Sequence, residues 1–177
     1  LVTVLDARLM LACGCAVQAS AFWYMSTFNL MVGTTEVYIA GMILGLGEGI
    51  AFTPLAAITF STLAANLRSY GVAVFHSFRF FASGVGISIA VAFLTRSMQT
   101  NRAELNESLS SYNELMRFPE NIGPWDLSSV DGLASLEFEM VRQAAMISYV
   151  NDFWILMFVA LLIIPLVLLL DQPRVAQ

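Results

Sequence analysis

The sequence predicts an all-α membrane protein: four transmembrane helices and, between the third and fourth, a polar helical hairpin lying outside the membrane. Three observations carry this. Of 177 residues, 58% are hydrophobic and 12% charged, about half the charge of an ordinary soluble domain. Mean hydropathy is +0.75. Four stretches are long enough to cross a hydrocarbon core, which takes ~20 apolar residues.

The first stretch covers about 9–25 and closes on Phe22, Trp23 and Tyr24, aromatic residues of the kind that settle at a membrane interface. The second covers about 38–64, the third 72–94 and the fourth 153–170. Between Phe153 and Leu170 there is no charged or amide side chain. Links 26–37 and 65–71 are short, so the neighbouring spans are expected to be antiparallel. Three regions follow: spans within 1–96, the polar segment 97–150, and the last span with a short tail over 151–177.

The polar segment holds eight acidic residues and three arginines, a net of −5 that equals the charge of the whole chain. It reads as two amphipathic helices about a turn at Asn121-Ile122-Gly123-Pro124. Leu105, Leu109 and Tyr112 form one stripe, and Leu136, Met140, Ala144 and Ile147 the other. Ser128 with Asp131 fits a capping box opening the second helix. Arg8, Arg68 and Arg174 mark one side of the membrane and the acidic segment the other. Positive charge favours the cytoplasm, which puts both termini inside, although Arg96, Arg102 and Arg142 on the other side weaken the contrast. Residue 1 is Leu and no charged stretch precedes the first apolar run, so the chain is expected to begin inside a larger protein.

Three ionisable residues lie inside spans: Glu48 in the second, Arg79 and His76 in the third. A charge at the bilayer centre costs ~2.5–3.5 kcal/mol on insertion scales, so each needs a pocket, a partner or neutralisation. For Glu48 burial favours the protonated form, and a carboxyl that exchanges protons is what proton coupling requires. Arginine stays charged, so Arg79 must face carbonyls, an acid or water. His76 precedes it by one turn. The alternative for all three is a buried polar bond that fixes helix register. Gly41, Gly45 and Gly49 on the second span, and Ala82, Gly86 and Ala90 on the third, form small-residue rows suited to close helix packing, and Pro54 is expected to kink the second span. Cys13 and Cys15 read as two small buried residues. No metal constellation, nucleotide loop or nucleophile–base arrangement is present, so the chain reads as no enzyme and needs no cofactor or metal. Nothing in its acidic balance suits nucleic acid.

The run Gly45-Leu46-Gly47-Glu48-Gly49-Ile50-Ala51-Phe52-Thr53-Pro54-Leu55 resembles the GxGxGxxFxPL segment of fourteen-helix drug:proton antiporters of the major facilitator superfamily, in its EmrB/QacA-like branch. Leu67 to Phe75 follows at the right spacing. Arg79 and Gly84-Val85-Gly86-Ile87 are similar to the family's FNxxRNxGGSxGI stretch. Arg142 to Trp154 looks like the approach to its last helix. The resemblance covers nearly the whole chain and implies helices eleven to fourteen of a major facilitator bundle, a C-terminal fragment with 97–150 outside. The chain departs from the family at Phe80 and His76, and at Glu48, where the family more often has an apolar residue. The resemblance implies proton-coupled export of drugs or toxic small molecules across a cell's inner membrane, with Arg79, Glu48 and His76 on the transport or proton path. It further implies partnership with a periplasmic adaptor and an outer-membrane channel, and a main coupling carboxylate in the family's first helix. Two alternatives stand beside this: a facilitator for a defined metabolite, and a four-helix scaffold without transport activity.

Overall fold

The computed structural model describes residues 6–61, 63–108 and 129–169. Four α-helices make up the described chain: α1 (Ala7–Ser26), α2 (Thr34–Ser61), α3 (Arg68–Ser108) and α4 (Val130–Leu168), with one short 3-10 turn at Ala65–Leu67. Each is long and apolar enough to span a membrane. The chain forms two compact units, Leu1–Ser88 with Phe153–Gln177, and Ile89–Asp152.

In the first unit, α1 ends beside its aromatic group. Ser26 and Thr27 donate their hydroxyls to the carbonyls of Trp23 and Tyr24, both at 2.7 Å, so the last-turn acceptors are satisfied by side chains. Asn29 Oδ1 then accepts the Met31 N–H at 2.8 Å and turns the chain toward α2. The second span was expected to reach Ala64. Instead α2 stops at Ser61, and Ala64 is extended, opening the 3-10 turn that leads into α3. Pro54 lies inside α2 and is fully buried.

Helices α1 and α2 approach closely at two glycines. A Cβ on Gly14 would lie 2.7 Å from Ala51 Cβ, and one on Gly47 would lie 2.9 Å from Gln18 N and 3.0 Å from Gly14 O. Ala19 packs with Met157 and Ala160 of α4, and Phe22 covers that cluster. Cys15 is buried, but Cys13 is exposed. Two helical steps separate them by about 200° around the axis, so one helix cannot bury both on a single face.

The second unit holds α3 from Ile89 onward and α4 up to Asp152. The polar arms expected here are continuations of the third and fourth helices: α3 runs for 41 residues and α4 for 39. At ~1.5 Å per residue each is about twice the ~30 Å of a hydrocarbon core. No proline or glycine falls between Ile87 and Ser108, so loss of apolar character there does not interrupt the backbone. Ser129 caps α4, its Oγ accepting the Gly132 N–H at 3.0 Å. Ser128, the turn at 121–124 and the stripe residues Leu109 and Tyr112 lie outside the described residues, as does Arg174.

The α4 stripe also differs from expectation. Leu136 and Met140 are half-buried and Ala144 is buried, but Ile147 is exposed and Ser148 takes the next place. Ser148 is tolerated there because its hydroxyl is satisfied twice: it donates to Ala144 O at 2.7 Å and accepts from Asn101 Nδ2 at 2.9 Å. Arg102 and Glu137 form an ion pair beside this seam.

Candidate functional site

Near the middle of the first unit three helices each contribute one polar side chain. Glu48 is about 21 Å along α2 from Thr34 and about 20 Å from Ser61. Gln18 is about 12 Å from the end of α1, and Arg79 about 17 Å from the start of α3. Arg79 Nη2 donates to Glu48 Oε1, and Gln18 Nε2 donates to Glu48 Oε2 at 3.1 Å. Each carboxylate oxygen therefore has its own donor. The Arg79 guanidinium also lies over the Phe52 ring, 4.7 Å from its centre, a cation–π arrangement that favours a partly desolvated cation.

The spacing explains why these residues share one place. Glu48, Ala51, Phe52 and Leu55 fall on one face of α2, and Phe75, Phe78, Arg79 and Ala82 on one face of α3. Together they line a cavity of about 300 Å³, apolar and aromatic apart from the ion pair. That is near the lower end of the size range of small-molecule sites. Gly47 and Gly14 bring α1 near enough for Gln18 to reach in.

Of the residues singled out from sequence, Glu48 and Arg79 are thus brought together, and the partner each requires is the other. Ala82 lines the same cavity. His76 does not: it is about 100° around the helix from Phe75, its ring meets that of Phe75 edge-on at 5.7 Å, and it takes no part in the Glu48 hydrogen bonds. Gly41, Gly45, Gly49 and Gly86 meet nothing within 4 Å of an added Cβ. The close α1–α2 approach uses Gly14 and Gly47 instead.

Sequence reasoning passed over Gln18, Phe52 and these two glycines. A signal for Gln18 was available, since it is the one amide in α1.

The chain is 26% identical over 153 residues to the multidrug export protein EmrB of Haemophilus influenzae. The likeness is to an exporter. It takes in 85% of this chain but 30% of that protein, so the chain spans less than a third of the length of its curated relative. No family model and no solved structure matches. Four span-competent helices and this likeness together describe a membrane protein related at a distance to a transporter rather than to an enzyme.

Proposed function

We propose that the chain forms part of a proton-coupled exporter of drugs or other toxic small molecules in the inner membrane, within a major facilitator bundle. The observation that carries the reading is the Glu48–Arg79 pair at mid-span, facing an aromatic cavity in a chain similar to a drug exporter. The aromatic and aliphatic walls give an amphipathic molecule apolar contact without demanding one fixed shape. The ion pair supplies the part that responds to protons. As an anion Glu48 holds Arg79; once protonated it loses its charge, and Arg79 is released toward the cavity. Binding of substrate and binding of a proton then compete for one small set of groups, which is the requirement for exchange. On this reading residues 97–150 lie outside and the termini in the cytoplasm, and a periplasmic adaptor with an outer-membrane channel would complete the route.

The test is efflux by the full-length protein under an imposed pH gradient, in cells matched for membrane level. Arg79→Ala is expected to abolish proton-coupled efflux. Arg79→Lys keeps the charge but loses the planar fork of donors and is expected to retain little. Full activity of the alanine variant would sink the reading; loss of the protein from the membrane would make Arg79 a structural residue.

A further inference from the structure

We infer that Gln18 is the positioning residue that lets Glu48 change protonation state inside the span without leaving an orphaned polar atom there. The inference rests on the reading of Glu48 as a proton-exchanging carboxyl. As an anion Glu48 is an acceptor only, and Arg79 and Gln18 both donate to it. Protonation adds one O–H, a donor that needs an acceptor. Arginine has none to offer. Glutamine has one on the same planar group as its NH2, so a half-turn about its last torsion exchanges donor for acceptor at one position. The step balances as one proton from the aqueous phase joining Glu48 Oε2. The new O–H donates to Gln18 Oε1, and Arg79 keeps its charge over the Phe52 ring.

The backbone is built for this. A Cβ on Gly47 would lie 2.7 Å from Gln18 Cγ, so glycine there leaves room for the stem of Gln18. That Cβ would also lie 2.9 Å from Gln18 N and 3.0 Å from Gly14 O, so the two helices are close here and only the terminal amide has to turn.

The other titratable groups on the helices of this unit are Arg68, Tyr70, His76 and Arg79 on α3, Glu36 and Tyr38 on α2, and Arg8, Cys13, Cys15 and Tyr24 on α1. Between Phe153 and Leu169, α4 has none. Of this set, Arg79 is the one recorded in a hydrogen bond to Glu48.

The experiment is infrared difference spectroscopy of the full-length protein in lipid vesicles, titrated from alkaline to acid pH. The C=O stretch of protonated Glu48 is identified by its disappearance in Glu48→Gln. In the unsubstituted protein it is expected at the frequency of a hydrogen-bonded acid. Gln18→Met, an apolar near-isostere, should move it to the higher frequency of a free acid. Gln18→Asn, which keeps the amide but withdraws it by one methylene, should do the same and serves if the methionine variant folds poorly. A band unmoved in both variants overturns the inference, and so does the absence of any Glu48-dependent band. Efflux measured alongside separates the two readings. If the band moves in the Gln18 variants but proton-coupled efflux is unchanged in Glu48→Gln, Gln18 keeps its role and Glu48 is removed from coupling.

Discussion

Among the described residues, two Arg–Glu pairs join one helix to another, and they look alike without being equivalent. Arg79–Glu48 joins α2 to α3, and Arg102–Glu137 joins the outer end of α3 to the opening of α4. Their side chains are similarly open, 44% and 56% in the first and 47% and 57% in the second. Accessibility therefore cannot rank them; the medium does. If 97–150 lie outside, as proposed, the second pair is wetted, and an exposed pair in water contributes ~0–1 kcal/mol. On the same reading the first sits where an unpaired charge costs ~2.5–3.5 kcal/mol, and of the two it alone has a second donor in Gln18 and an aromatic face in Phe52.

That contrast depends on topology, which gives the largest, all-or-none expectation. Single cysteines at Ser110 and Ser129, with Cys13 and Cys15 replaced, should react with an impermeant thiol reagent in cells whose outer membrane is permeabilised. Labelling only after inner-membrane lysis would put both pairs in the wrong media. Next in size is a charge-neutral double variant, Glu48→Gln with Arg79→Gln. Removing both charges leaves no orphan, so it should reach the membrane at near-normal level while exporting nothing. Each single variant should also insert at near-normal level by immunoblot, but once solubilised it should melt below the double, because it leaves one partner of the pair uncompensated.

Smaller effects follow from packing. Gly47→Ala forces a methyl against the α1 backbone and should destabilise the solubilised protein by ~1–3 kcal/mol, the usual cost of overpacking. A melting curve checks this. In the outer seam, Ser148→Ala deprives the Asn101 amide of its 2.9 Å acceptor, worth ~1 kcal/mol by the same assay. Arg102→Ala should be smallest, ~0–1 kcal/mol, and vanish in high salt. An Arg102 effect as large as that of Arg79 would erase the distinction between the pairs.

The helices were legible in the sequence because lipid leaves the backbone few choices: an apolar run of sufficient length must satisfy its own hydrogen bonds. Glu48 and Arg79 were each legible as costly residues in such runs. Their pairing was not, since they are 31 positions apart on different helices and periodicity does not say which faces meet. The glycine row of α2 lies on a different side from its contact with α1. Gly45 and Gly49 have the right spacing, but Gly47 lies about 200° from both around the axis, and that is the side α1 uses. Ile147 gave way to Ser148 because hydrophobicity alone overlooks a hydroxyl whose hydrogen bonds are all made. Gln18, a neutral amide, carries a smaller penalty than a charge and so drew less notice.

The contact of Gln18 with Glu48 also has a consequence in time. A ribosome adds ~5–20 residues per second, so the 31 positions from Glu48 to Arg79 take on the order of a few seconds to make. The chain of α1 and α2 is complete at Ser61, 18 positions before Arg79 is made. Glu48 enters the bilayer with the Gln18 amide as its available partner. The nascent hairpin thus carries its own temporary escort for an acidic group, later shared with the arginine that arrives on the next helix.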